Sequence, residues 1–435
     1  MLSGVSTYAD RRKALMAQLE GGVAVLPSAP VAIRNNDVEH EYRQDSDFYY
    51  LTGFDEPESV LVLTTRHPDH HVVLFVRPRD PEREVWDGAR AGIEGAVRDF
   101  GADAAFPIGE LGARLPDYLQ NHERLMYRFG KDRAFDDKVV AALEMTRARA
   151  RRGVDWPTAV VDPAALLHEM RLFKSKTELA AMQKAAAITR DAHIGAMHLA
   201  KPGRYEYEVD ALLREVFRKN GSERPAYPPI VGARKNATVL HYRSNAKRIE
   251  EGELLLVDAG CEYAYYASDV TRTYPVSGKF TGPQRAIYEL VLASQMAAID
   301  ATRPGATLDE IHRRALEVIV DGLIALGLLL GDRQKNIDEN LYRPFFMHRT
   351  SHWLGMDVHD VGAYFRAQKP RPLEPGMVLT VEPGIYIADN NASVPESYRG
   401  IGVRIEDDIL VTEGGHLNLT ADIPKTVSEL ESACA

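Results

Sequence analysis

The chain carries only two cysteines, Cys261 and Cys434, among its 435 residues. Two thiols make no disulfide framework, and a chain of this length buries a core large enough to need none. Their scarcity suits a reducing compartment, so the cytoplasm is the expected location. Long hydrophobic runs are missing as well. The most apolar stretch, Leu323 to Leu330, is eight residues long, against roughly 20 for a membrane helix. Met1 to Lys13 has no apolar segment of the kind found in a secretory signal, so no membrane partner is expected. Positive charge is in deficit: 53 Lys and Arg against 63 Asp and Glu give a formal net charge of −10. A surface built to neutralise phosphates needs the reverse balance, which excludes nucleic acid as an expected partner. What remains is ordinary globular composition, 45% hydrophobic and 27% charged, in a length that suits two or three domains.

The first part of the chain reads as mixed α/β. Val23–Leu26, Ser59–Leu63 and Val72–Val76 are short apolar runs between turn-rich stretches, the pattern of strands. Helical patterns lie near Ala91–Asp99 and Asp136–Arg151. The chain turns polar over Arg151–Pro163, with Pro157 and Pro163, and this stretch is the candidate linker. His67, His70 and His71 sit in a turn between two strands, not in a metal site. A new helix begins after Lys174: Ser175 and Glu178 form a capping box, and an Ala-rich helix runs to about Leu199 before Pro202-Gly203 ends it. The predicted domains are 1–172 and 173–435.

The second domain holds an internal repeat. Gly252–Gly260 aligns without gaps on Gly376–Gly384. Each copy is a Gly turn, an apolar strand, one carboxylate at the strand end (Asp258, Glu382) and a Gly. A histidine precedes each of these acids, His241 and His359. A second acid follows each, Asp269 and Glu406. Acids at the ends of buried apolar runs are rarely tolerated unless paired or metal-bound. In Val403-Arg404-Ile405-Glu406 the alternation puts Arg404 and Glu406 on one face. Four such acids brought to one centre repel if all are ionised, and a pair of divalent cations is the simplest way to hold them.

His348 and His352 stand four apart, but Arg349 follows the first where a zincin helix carries Glu, so that motif is excluded. One imidazole among four carboxylates makes an oxygen-rich, hard site. It suits Mn2+, with Zn2+ or Co2+ as substitutes. Cys261 has no second thiol near it in sequence and reads as structural.

The order Asp258, Asp269, His352, Glu382, Glu406 resembles the ligand pattern of the pita-bread metallopeptidases. So do the surrounding segments Asp258-Ala259-Gly260, Ser268-Asp269-Val270-Thr271-Arg272-Thr273, Ser351-His352-Trp353-Leu354-Gly355, Glu382-Pro383-Gly384 and Arg404-Ile405-Glu406-Asp407. Within that family the chain is similar to aminopeptidase P, and Tyr42–Phe54 resembles the signature of that group's N-terminal domain. The resemblance implies a creatinase-like mixed α/β domain followed by a pita-bread domain with a pseudo-twofold repeat. It implies two metal ions, with Asp258 on one, His352 and Glu382 on the other, and Asp269 and Glu406 bridging. The implied activity is removal of the N-terminal residue from peptides with proline second. Glu382 is expected to take the proton of the attacking water. His241 and His359 are expected to stabilise the oxyanion, and His348 resembles the histidine near the proline pocket. Tyr386 and Arg404 match residues flanking the family's substrate site. Trp86, in Glu84–Gly88, resembles a tryptophan that reaches a neighbouring subunit's site in some relatives, which implies a dimer or tetramer. The alternatives are prolidase, which cuts only Xaa-Pro dipeptides, and a pita-bread interaction module without activity. Methionine aminopeptidase fits less well because most members lack such an N-terminal domain.

Overall fold

The computed structural model describes residues 5–435, and the chain divides into two compact units at Met170 and Arg171. In the first unit the expected strands form as Val23–Pro27, Val60–Thr64 and Val72–Val76. They are the interior of a six-stranded sheet flanked by Ala104–Pro107 on one side and by Arg124–Met126 and Ala159–Val161 on the other. The sheet is mixed: Val23–Pro27 runs antiparallel to Val60–Thr64 and parallel to Arg124–Met126. Val60–Thr64 and Val72–Val76 are buried at every position, which is why they read as continuous apolar runs without alternation. The two helices form as Gly92–Arg98 and Arg133–Arg147, the second capped by Asp132, whose side chain accepts from the Ala134 and Phe135 N–H groups. His67 and His70 stack on each other in the turn after Val60–Thr64.

The expected linker at Arg151–Pro163 is corrected by the structure. It contains the strand Ala159–Val161, which pairs parallel to Arg124–Met126 at the sheet edge. All three residues of this strand are exposed, so it carries no burial pattern. Pro157 and Pro163 lie outside its ends, where proline is tolerated.

In the second unit the helix Lys176–Leu199 starts with the expected reciprocal capping box of Ser175 and Glu178. The two copies of the repeat fall in two three-stranded sheets, Leu254–Asp258 as the central strand of one and Val378–Val381 at the edge of the other. One is Ile230–Ala233, Leu254–Asp258 and Thr271–Pro275; the other is Val378–Val381, Asp407–Thr412 and Gly415–Asn418. In the first, Asp258 pairs across from Thr271, two residues past Asp269. In the second, Val381 pairs across from Asp407, one residue past Glu406. Each half therefore delivers two acids to the same end of an antiparallel strand pair, and this is the pseudo-twofold repeat. The halves are stitched there: the Glu406 N–H donates to the Thr271 carbonyl at 3.1 Å. Arg272, fully buried, donates to the Glu406 carbonyl at 2.6 Å and to Asp407 at 2.7 Å.

Gly260 follows the first repeated strand, where the backbone folds back on itself. A Cβ there would lie 1.7 Å from the Ser268 carbonyl oxygen. That neighbour is backbone, held by the Ser268 N–H bond to the Cys261 carbonyl at 3.0 Å, so it has no side-chain freedom to yield. Gly260→Ala is expected to destabilise the fold by about 3 kcal/mol, the upper end of overpacking effects. Chemical denaturation checks this, and an unchanged midpoint contradicts it.

Cys261 and Cys434 are both buried and free. Burial pushes the Cys261 thiol up to about 12, which makes it inert at neutral pH. Among the described residues, no helix is long and apolar enough to cross a membrane.

Candidate metal centre

The strand ends of the two halves open into one cavity of about 430 Å³. Of the predicted site residues, Asp258, Asp269, His352, Glu382, Glu406, His241, His348, His359 and Arg404 all line it. Its floor is buried: Asp258, Asp269, Glu406 and Arg404 are each at most 8% exposed. His241, Arg243, Arg349 and His359 are exposed at its mouth.

Asp269, His352 and Glu406 each present a donor atom within 4.8 Å of the others. His352 Nε2 stands 3.4 Å from Asp269 Oδ2 and 3.6 Å from Glu382 Oε1. Those separations exceed a good hydrogen bond. They are close to the spacing of two ligands that share one ion at about 2.1 Å each. His352 Nδ1 donates to the Trp353 carbonyl at 3.0 Å, which leaves Nε2 turned to the acids, the arrangement found behind metal-bound imidazoles.

The electrostatics show a centre short of positive charge. Burial, then Asp269, Glu382 and Asp258, hold the Glu406 carboxyl far above the usual carboxylate range. Burial lifts Glu382 to about 7, with His352 and Arg404 opposing. Asp258 is raised by burial too, against the pull of Arg404. Burial opposes a charge on His352, yet the neighbouring Asp269 and Glu382 carboxylates lift it to about 9. A hard divalent cation is the charge that relieves the three raised acids together, and the donor set of four carboxylates and one imidazole fits it.

Several contributors had no sequence signal. The Tyr227 phenol lies 2.6 Å from Asp258 Oδ1 and 2.5 Å from Asp269 Oδ1. A phenol has one proton, so it can donate to only one of these acids at a time. Thr271 donates its hydroxyl to Glu406 Oε2 at 2.6 Å and accepts from Arg404 Nε at 3.0 Å. Asp408 accepts from the Ser268 hydroxyl at 3.0 Å and from the Asp269 N–H at 3.2 Å, which fixes the Asp269 backbone.

Arg404 and Tyr386 act from behind. Arg404 donates to Asp258 Oδ2 at 2.5 Å and to the Tyr386 hydroxyl at 3.0 Å. Tyr386 is buried and in turn meets His348 Nε2 at 2.8 Å. His348 Nδ1 lies 2.7 Å from the Arg349 carbonyl, which can only accept. Burial, then Arg404, push His348 down to about 4, so the ring is neutral at pH 7. Nδ1 therefore carries the hydrogen, and Nε2 accepts from Tyr386. Both nitrogens of His348 are committed within the protein, so the ring lines the cavity without a free N–H. The rings of His352 and His359 meet edge to face at 4.5 Å. Trp86 lies in the first unit, on the helix Pro81–Asp87, and is 84% exposed.

Comparison with known proteins agrees with this geometry. The profile of metallopeptidase family M24 matches residues 180–413, and that of the aminopeptidase P N-terminal domain matches residues 8–127. The Xaa-Pro aminopeptidase of Escherichia coli K12 is 46% identical over 428 residues, covering 98% of this chain and 96% of that protein. The structure of Pseudomonas aeruginosa aminopeptidase PepP superposes with a TM-score of 0.98 at 51% identity, over 99% of this chain and 98% of that one. A zinc-substituted Escherichia coli aminopeptidase P in complex with product does so with a TM-score of 0.96 at 44% identity, over 99% and 98%. The chain belongs to metallopeptidase family M24 and, through both of its domains, to the aminopeptidase P group within it.

Proposed function

We propose that this enzyme releases the N-terminal residue from peptides whose second residue is proline. The observation that carries the reading is the convergence of Asp258, Asp269, His352, Glu382 and Glu406 in one cavity, in a chain whose relatives over nearly its full length are named Xaa-Pro aminopeptidases. The set would hold two divalent ions, best Mn2+, with Asp258 on one, His352 and Glu382 on the other, and Asp269 and Glu406 shared. When bound, such ions polarise a carbonyl and lower the pKa of a water from about 15.7 toward 7.

The chain's own residues do the rest. Glu382 accepts the proton of the attacking water. His241 and His359, exposed at the mouth, are the side chains free to donate to the oxyanion, and each such donor is worth roughly 3 kcal/mol. His348, with both nitrogens engaged, offers an apolar face to the proline ring and no donor. The free amine of the first residue finds the acids of the floor, above all Asp258, and this measures one residue from the chain end. An X-Pro bond has no N–H to hold, so recognition through the amine and the ring replaces the contact that other peptidases use. Two buried free thiols support a cytoplasmic location, and the exposed Trp86 supports an oligomer.

The test is a digest of Ala-Pro-Ala, Ala-Ala-Ala and Ala-Pro by the manganese-loaded protein, with products identified by mass. Alanine is expected from Ala-Pro-Ala and not from Ala-Ala-Ala. Chelation is expected to stop the reaction and Mn2+ to restore it. Cleavage of Ala-Pro alone would establish a prolidase; neither bound metal nor cleavage would establish an interaction module.

A further inference from the structure

Beside the main cavity lies a second one of about 210 Å³. The two share Arg349 and Ser351 as a common wall, so the side cavity begins one residue from the His352 ligand. Its other walls are Leu308, Tyr364, Phe365 and Pro370, with Asp309 beside Arg349. At about 30 Å³ per water, its volume matches a handful of waters or one large side chain.

Three features mark this as a built recess. Phe365 is 56% exposed and Tyr364 is 40% exposed, so aromatic surface lies open beside a polar active site. Tyr364 is held in place: its hydroxyl accepts from the Trp353 N–H at 3.2 Å, and its ring stacks on Trp353 at 5.5 Å. The Ser351 hydroxyl, on the shared wall, is buried without a hydrogen-bond partner, a state that costs free energy unless something else supplies the bond. The Arg349–Asp309 ion pair stands at the same wall.

We propose that this cavity is a subsite for a large apolar side chain at the third residue of the peptide, the one after proline. The inference rests on the proposed function, which sets the direction of the substrate. The amine end lies at the buried acids, so the chain leaves toward the exposed mouth. The shared wall is on that side, because Arg349 is exposed whereas the floor acids are not. Binding there is remote from the bond that breaks, so it acts on KM and leaves kcat alone.

The experiment compares Ala-Pro-Gly, Ala-Pro-Phe and Phe-Pro-Gly on the manganese-loaded full-length protein, with kcat and KM measured separately. KM for Ala-Pro-Phe is expected to be about 5- to 10-fold below that for Ala-Pro-Gly, as half-burial of an aromatic ring implies. In Phe365→Ala, which opens the recess, and Leu308→Trp, which fills it, the ratio is expected to fall below about twofold. If Leu308→Trp fails to fold, Phe365→Ala decides alone, since Phe365 sits half-exposed on a two-stranded hairpin. A wild-type ratio near one overturns the proposal, and so does a ratio that both variants leave intact. A change in the Phe-Pro-Gly to Ala-Pro-Gly preference alone assigns the recess to the first residue and overturns it too. If no peptide releases its first residue, the parent reading falls and takes the subsite with it; cleavage without a third-residue preference sinks only the subsite.

Discussion

Glu382→Gln is expected to lower kcat by roughly 10²–10⁴-fold, the usual worth of a positioned proton acceptor. The amide keeps the volume and shape of the carboxylate but cannot take a proton. Glu382 is well placed to accept one, with Oε1 at 3.6 Å from His352 Nε2 and 18% of its side chain open to the cavity. It is the member of the acid cluster with that opening, whereas Asp258, Asp269 and Glu406 are buried. Glu382 is also a proposed ligand, so the variant must be assayed with its metal content measured beside its rate. Full metal occupancy with a collapsed kcat separates the proton-accepting role from the ligand role. Wild-type turnover at full occupancy would falsify the assignment.

Asp258 and Glu382 were legible in the sequence because each breaks a local rule, and Asp269, His352 and Glu406 through their order along the chain beside them. Asp258 and Glu382 end apolar runs that fold as fully buried strands, Leu254–Asp258 and Val378–Val381, where an acid has no business unless something balances it. The gap-free repeat then foretold that the two halves meet, and the strand registers show how. The supporting residues were not legible because their settings are locally ordinary. Asp407 and Asp408 are neighbours in sequence with opposite fates. Despite burial, Arg272 and Lys425 hold Asp407 down at about 2. Asp408, facing Asp269 without a cation, is raised far above the carboxylate range by burial. The partners that decide this lie far along the chain, more than 130 residues away for Arg272, and no window of local periodicity contains them. Tyr227 is hidden for the same reason: it meets Asp258 and Asp269 only because Ile230–Ala233 pairs with Leu254–Asp258. The edge strand Ala159–Val161 is the opposite failure, a strand without a buried face and hence without a pattern.

A centre of this kind makes the metal-free protein weakest where the loaded one is strongest. Glu382 rises from an ordinary 4.5 to about 7 in the folded chain through burial. A raised acid costs stability as pH climbs from the unfolded value through the folded one, here from 4.5 to 7, and the cost reaches about 3 kcal/mol. His352 rises from 6.5 to about 9. Its stabilisation is complete below 6.5 and is lost as pH passes 9, so it pushes in the same direction. Asp407, at about 2, is ionised throughout this range and does not contribute to the change. Over about pH 5 to about pH 8.5 the two groups together cost about 5 kcal/mol, so the metal-free protein is expected to lose about 10 °C in the melting transition of its second unit across that interval, taking about 2 °C per kcal/mol. Metal ligands bind deprotonated, so affinity grows over the same interval, and the loaded protein gains stability by mass action as the metal-free one weakens. The gap between the two melting curves is expected to widen steadily with pH. Calorimetry on chelated and manganese-loaded samples across that range measures it. A chelated protein whose transition holds steady or rises toward pH 8.5 would show that the acids are neutralised from within the chain, and the buried cluster would then have no need of a cation.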